Sequence, residues 1–297
     1  MLIGAITISF SGVWVKLSSI EAEVSAFYRM FVGGVTITLI LLFRGQGHLL
    51  KKFLTPAVAI AGVFFSLDLV FWHMSIGLIG PGLATILGNF QVFLVTAYSY
   101  FIYREKIKLS FLLAIPLAIT GLFLIIRPDT GVLSAEYRWG IVFGFATAIC
   151  YTCYLLQLKK SQTRNHPSAA FVVLGLISII CSILLAIGIW AKGGSFVIPD
   201  RVSLISMLSY GVFSQVVGWY LITKAISGIS ASMMGLMLLL QPALSFVWDM
   251  LIFDRPATLV TLIGVIMVLV AIYFGIASGQ NLTKKKEHKN QRSAVST

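Results

Sequence analysis

The chain has 297 residues, of which 58% are hydrophobic and 11% charged, with a formal net charge of +12 and a mean hydropathy of +0.96. A soluble domain carries about 25% charged residues, so this chain has too few charges to cover a water-facing surface, and most of its exterior must face lipid. The positive balance does not point to nucleic acid, because the basic residues sit in short clusters between apolar runs, as membrane topology requires.

A spanning helix needs about 20 apolar residues. Ten stretches qualify: 1–18, 24–43, 55–77, 82–102, 109–126, 139–158, 169–190, 203–223, 231–252 and 258–277. The chain therefore reads as an all-α integral membrane protein with ten transmembrane helices. Met1 opens directly into the first apolar run with no basic region before it, so no cleavable signal peptide is expected. Arg29, one to two turns into the second segment, is expected to snorkel outward or to pair with Glu21, Glu23 or Asp249. Prolines 56, 81, 167 and 256 sit at or near helix starts, where a missing N–H costs little. Pro116 and Pro242 fall inside segments, and Pro242 leaves the carbonyl of Leu238 without its usual donor. Cys150, Cys153 and Cys181 all lie in apolar runs; the CxxC they include has no second ligand pair and is expected to pack as small side chains.

Basic residues in short connections set orientation. With the N-terminus in the cytoplasm, 15 basic residues fall inside and five outside, so both termini are expected to be cytoplasmic. A repeat appears at an offset of 150 residues: Phe90-Gln91-Val92 lies over Leu240-Gln241-Pro242, and Ile102-Tyr103-Arg104 over Ile252-Phe253-Asp254. Each half then holds five segments, and an odd number forces the halves into the membrane from opposite sides. Three parts follow: five-helix repeats at 1–127 and 138–278, and a basic cytoplasmic tail at 279–297. Inverted repeats of this kind belong to secondary transporters, which bind solute near the midplane at the repeat interface.

The polar residues at that depth are the candidates for the site. The stretch FFSLDLVFWHM (64–74) places Asp68 within about 3 Å of the midplane, with His73 about 7 Å further toward the outer surface. A carboxylate there is too costly to face lipid; it either bridges helices or lines a cavity. Trp72 shares its helical face. Asn89, Gln91, Gln215 and Gln241 lie at similar depth, and Tyr151 and Trp219 are the deep aromatics. The candidate solute-binding set is thus Asp68, Trp72, His73, Asn89, Gln91, Tyr151, Gln215, Trp219 and Gln241. No phosphate loop, HExxH or usable GxSxG occurs, and no catalytic residue, metal ligand or cofactor is expected.

The stretches FSGVWVK (10–16) and SAFYRMFVGG (25–34) resemble the first two helices of the EamA-type branch of the drug/metabolite transporter superfamily, with Arg29 in the place of its usual arginine and Phe10 where a tryptophan is common. The run LGNFQVFLVTAYSYFIYREKIKLSFLLAIPLAITGLFLII and its counterpart LLLQPALSFVWDMLIFDRPATLVTLIGVIMVLVAIYF resemble that family's fourth and fifth helices in each half. The resemblance covers the whole chain. It implies ten helices in inverted five-helix repeats around a central cavity, in a family whose members move amino acids, metabolites and drugs. The expected function is a secondary carrier of a small organic metabolite, amino-acid-like solute or drug in the cytoplasmic (inner) membrane. The expected partners are that small-molecule substrate and the lipid bilayer, with no nucleic acid, in a monomer or weak homodimer. A membrane-embedded enzyme or a channel is the alternative.

Overall fold

Lipid offers no hydrogen-bond partner, so a chain crossing it must satisfy its backbone internally. The computed structural model describes residues 1–126, 135–162, 166–254 and 258–275, leaving aside the side chains of 81, 82 and 126, and this stretch holds helices and no strand. The predicted tail at 279–297 and the tips of three connections lie outside the described residues.

The first predicted segment is two short helices, α1 (Leu2–Ser9) and α2 (Ser11–Leu17), broken at Phe10. After α3 (Ala22–Phe43) and the short α4 (His48–Phe53) comes α5 (Pro56–Asn89). Thr55 caps α5 by accepting from the Val58 N–H, and Pro56 occupies its first turn. The turn expected between 77 and 82 is instead a kink inside α5. Gly80 adopts φ 78° and ψ 159°: the following proline disfavours a helical conformation there, and only a glycine takes that φ without strain.

Beyond the kink α5 ends at Phe90, and α6 (Gln91–Phe101) and α7 (Leu109–Ile126) follow. The second half runs through α8 (Ala135–Ser161), α9 (Ala169–Ala191), α10 (Arg201–Ser209), a π-helical stretch Tyr210–Gly218, and α11 (Trp219–Ile226). It continues through α12 (Ala231–Leu238) and α13 (Leu240–Phe253) to α14 (Leu259–Gly275). The α12–α13 break at Leu239 follows from Pro242, which offers no N–H to the Leu238 carbonyl. The α5–α6 break at Phe90 falls at the related position of the first half without a proline.

Six helical stretches are long and apolar enough to cross a membrane: Ala22–Phe43, Pro56–Gly80, Ala135–Ser161, Ala169–Ala191, Arg201–Ile226 and Ala231–Phe253. Shorter apolar helices occupy Leu2–Leu17, Leu109–Ile125 and Leu259–Gly275. Their outer faces are apolar: Leu113 is 61% exposed, Tyr273 69% and Leu259 79%. Water would penalise that surface and lipid does not, so the molecule is an integral membrane protein.

The connections gather at two ends. At one, Lys192 bonds Glu23 at 2.8 Å, the Ser19 N–H donates to Ser203 Oγ at 3.0 Å, and the Tyr28 hydroxyl donates to the Phe196 carbonyl. At the other, Ser168 Oγ meets Gln46 Oε1 at 3.1 Å, and Lys159 donates to the Ile226 and Ile229 carbonyls. Glu105 joins this end, accepting from the Ala231 N–H at 3.1 Å and from Ser232 Oγ at 2.8 Å. Two packed cores lie between the ends. The larger joins α3, α5, α8, α9 and α11, and the smaller joins α7, α12, α13 and α14. In the smaller, a Cβ added at Gly121 would lie 2.7 Å from the Gly264 carbonyl oxygen, so α7 and α14 cross backbone to backbone.

Candidate transport site

The site is built around a residue whose expected position was wrong. Arg29 does not reach outward but is buried, at 8% exposure. Its Nε donates to Gln215 Oε1 at 2.9 Å and its Nη1 to the Tyr210 hydroxyl at 3.3 Å. Two of the three carboxylates expected to pair with it are engaged elsewhere: Glu23 holds Lys192, and Asp249 lies 3.6 Å from Lys16. The reason is local geometry. A Cβ at Gly33 would meet Gln215 Cγ at 2.5 Å, and one at Gly211 would meet Val32 Cβ at 2.5 Å. Side-chain-free contact lets α3 and the π-helical stretch approach closely, and Gln215 arrives beside Arg29, one turn from Gly33. π-helical turns are rare, and the extra residue per turn re-aims the side chains they carry.

From Gln215 the network continues. Its Nε2 donates to Ser178 Oγ at 2.9 Å, and Ser178 Oγ donates to the Leu174 carbonyl at 2.8 Å, tying α9 to the same centre. On the other side the guanidinium carbon of Arg29 lies 6.0 Å from the Phe65 ring centroid and 5.3 Å from that of Tyr210. Phe65 stacks on Tyr154 at 4.2 Å, with planes 9° apart, and Trp219 stands 5.4 Å from Tyr154. Tyr151 lies 5.9 Å from Tyr154.

Asp68 stands one turn beyond Phe65 on the same face of α5. It is 7% exposed, and it interacts electrostatically with Arg29, Cys150, Tyr151, Tyr154 and Cys181. Among the described residues it has no hydrogen bond or ion pair. Nearby, the Tyr154 hydroxyl and Trp219 Nε1 are buried without a partner among the described residues. Each buried orphan costs roughly 1–3 kcal/mol, and these two cluster near a carboxylate that has no bonded partner among the described residues.

Of the residues expected to line a site, the structure brings Asp68, Tyr151, Gln215 and Trp219 together around Arg29. Trp72 and His73 stand on the same helix with their rings edge to face, centroids 5.1 Å apart, and with His73 Nδ1 2.6 Å from the Leu69 carbonyl oxygen. Asn89 bonds its own helix at the Thr85 carbonyl, 2.8 Å away. Gln91 is fully buried and donates to the Gly235 carbonyl of α12 at 3.2 Å, while its Oε1 and Gln241 Nε2 have no partner among the described residues. These three amides sit at the helix breaks, where α5 meets α6 and α12 meets α13. Sequence reasoning did not single out Phe65, Ser178 and Tyr210, and it gave Arg29 other surroundings. The available signal was Gly33, four residues after Arg29 and hence on its face, which announces close helix contact where a snorkelling arginine needs none. Separately, a cavity of about 350 Å³ opens at the Arg44 end, lined by Arg44, Gln46, Ser168, Phe171, Val216 and Tyr220. Val216 adjoins Gln215 in sequence.

An all-helical molecule with an apolar exterior and a buried polar centre is built as a polytopic membrane transporter. The EamA-like transporter family matches residues 1–127 and 138–276, and the chain belongs to that family. It is 23% identical over 274 residues to the pseudopaline exporter CntI of Pseudomonas aeruginosa, covering 91% of this chain and 92% of that one. An uncharacterized transporter of Clostridium kluyveri is 22% identical over 202 residues, 67% of this chain and 64% of its own length. A solved crystal structure superposes with a TM-score of 0.77 over 94% of this chain and 96% of that one at 14% identity, a likeness of fold alone.

Proposed function

We propose that this protein is a secondary carrier that moves a small organic metabolite, amino-acid-like solute or drug by alternating access around Asp68. The observation that carries this reading is a buried carboxylate with no protein partner among the described residues, set beside a buried arginine and orphaned aromatic donors. A purely structural carboxylate would be paired, because a charge buried alone is strongly unfavourable.

In this reading the membrane segments number ten, as inverted repeats over 1–127 and 138–278, and the solute-binding set comprises Asp68, Trp72, His73, Asn89, Gln91, Tyr151, Gln215, Trp219 and Gln241. The related breaks at Phe90 and Leu239 support the repeat. The sorting of connections to two ends supports the alternation of segments, and the basic residues of the Arg44 end support a cytoplasmic position for that end in an inner membrane. CntI is named as an exporter, which supports a solute carrier without deciding direction here.

Counterflow separates a carrier from a channel or an enzyme. Purified protein in proteoliposomes preloaded with amino acids, nucleosides and cationic dyes is expected to show tracer uptake stimulated by internal solute. Unstimulated leak would replace the reading with a channel, and a chemically altered solute would replace it with an enzyme.

A further inference from the structure

The carrier reading makes no use of the cavity of about 350 Å³ at the Arg44 end. That cavity arises where two elements diverge. α3 and the π-helical stretch touch at Gly33 and Gly211, where an added Cβ would meet the facing side chain at 2.5 Å. Ile40 stands two turns, about 10 Å, further along α3, and there the space between it and Val216 and Tyr220 is unfilled. Phe171 of α9 completes the apolar wall. The depth is that of lipid headgroups, because Arg44 directly follows the membrane-length helix Ala22–Phe43. The surface beside the cavity faces lipid: Phe43 is 88% exposed, and Val217, next to Val216, 41%.

The polar side chains of the cavity are arranged to donate. The Ser168 hydroxyl donates to Gln46 Oε1 at 3.1 Å, which leaves Gln46 Nε2 available. The Arg44 guanidinium, Gln46 Nε2 and the Tyr220 hydroxyl have no hydrogen-bond partner among the described residues, and each can donate. Lys224 Nζ lies 5.9 Å from the Tyr220 ring centroid and adds a second cation, while no lining residue is acidic. α9 begins at the same cavity without a side-chain cap, so its N-terminal end adds partial positive charge. Such a lining selects an anion with several acceptor oxygens, and the apolar wall selects one attached to hydrocarbon. We propose that the cavity holds the phosphate of an anionic phospholipid from the leaflet at the Arg44 end, cytoplasmic in the orientation proposed above. Arg44, Gln46 and Tyr220 meet the phosphate oxygens, and the glycerol backbone lies against Ile40, Phe171 and Val216. Guanidinium and phosphate pair through parallel hydrogen bonds, and basic pockets between membrane helices on the cytoplasmic side suit acidic headgroups. The volume stands at the small end of the roughly 300–1,000 Å³ of ligand pockets, which fits a headgroup and leaves the acyl chains in the bilayer. The bound lipid ties α3 of the first half to α9 and α11 of the second. No residue of the Asp68 centre takes part, so the lipid site stands or falls separately from the carrier reading.

The test titrates the purified full-length protein in detergent with dioleoylphosphatidylglycerol, with the zwitterionic dioleoylphosphatidylcholine and with inorganic phosphate. Lipid binding is read by native mass spectrometry and stability by thermal melting. Phosphatidylglycerol is expected to bind at least about fivefold more tightly than phosphatidylcholine and to raise the melting temperature. Arg44→Gln is expected to weaken phosphatidylglycerol at least about tenfold. Lys51→Gln, on the short helix α4 and outside the cavity, is expected to weaken it by less than about fivefold. Tyr220→Phe, which removes one hydroxyl, is expected to cost about two- to tenfold. Equal affinity for the two lipids overturns the proposal. So does a loss in Arg44→Gln no larger than in Lys51→Gln, which would mean diffuse attraction to a basic surface. Should Arg44→Gln fail to fold, undiminished binding by Tyr220→Phe overturns the proposal. Inorganic phosphate that stabilises the protein as much as phosphatidylglycerol, with the same dependence on Arg44 and Tyr220, overturns the choice of a lipid in favour of a free phosphate compound.

Discussion

Asp68 was the one carboxylate that the hydropathy pattern left near the midplane, and the structure surrounds it with Arg29, Cys150, Tyr151, Tyr154 and Cys181 rather than with a counter-charge at bonding distance. Asp68→Asn keeps the shape and removes the charge. The expected outcome is loss of solute affinity both in accumulation driven by a pH gradient and in solute exchange. A residue that only carried a coupling proton would lose the first and keep the second. A residue that only bridged helices would lower the melting temperature and leave surviving transport with unchanged pH dependence, and that result would remove Asp68 from the site. Arg29 teaches the complementary lesson. Its position along the helix was compatible with snorkelling, and only the approach of Gln215 and Tyr210 from elements some 180 residues away turns it inward. No local pattern encodes such a partner.

At the scale of elements, two devices are open to test. The first is the α7–α14 crossing. Gly121→Ala forces a methyl against the Gly264 carbonyl and is expected to destabilise the protein by about 1–3 kcal/mol. Gly188→Ala in α9, where an added Cβ meets nothing within 4 Å, is expected to be neutral or mildly stabilising. Equal melting temperatures for the two variants would refute the close crossing.

The second is the start of α10, where Asp200 accepts from the Ser203 N–H at 2.7 Å and from Ser203 Oγ at 3.0 Å. The hydrogen bond from the Ser203 N–H, the largest cause, holds the Asp200 carboxyl below its ordinary value. A carboxyl depressed on folding stabilises the native state above its unfolded value, about 3.9, and that contribution is lost as pH falls through the lower folded value. Wild type is therefore expected to lose its advantage over Asp200→Ala below about pH 4, read as converging melting curves. A difference between the two that stays constant down to pH 2 would show that the cap does not depend on the carboxylate charge.

Over the whole molecule, orientation is the property that every depth assignment rests on. A reporter fused after residue 290 is expected to read cytoplasmic, and a tag in the 127–138 connection external. The reverse pair would invert the topology. The two ends already differ chemically: at the Arg44 end Glu105 of the first half caps α12 of the second, and Lys159 caps α11 within the second half. The opposite end is tied by the exposed Lys192–Glu23 pair and by two hydrogen bonds that involve backbone groups.

What the amino-acid sequence determined by itself is the solvent and the fold class. Apolar runs such as 169–190 and the scarcity of charge are properties of composition, and partition between water and lipid depends on composition alone. Pro242 and the Gly80–Pro81 pair likewise act within a turn of their own backbone, so an interruption near each is a local property, although the turn expected at 77–82 is a kink and the single span expected over 231–252 is broken at Leu239. Only the tertiary structure decided the site. It replaced a regular helix by π turns over Tyr210–Gly218, paired Arg29 with Gln215, and gave Gln91 the Gly235 carbonyl of α12 as its partner. Depth along a helix follows from counting residues, but which face meets which neighbour depends on how closely helices approach. Gly33 and Gly211 set that distance jointly, from two elements whose encounter no single stretch of sequence contains.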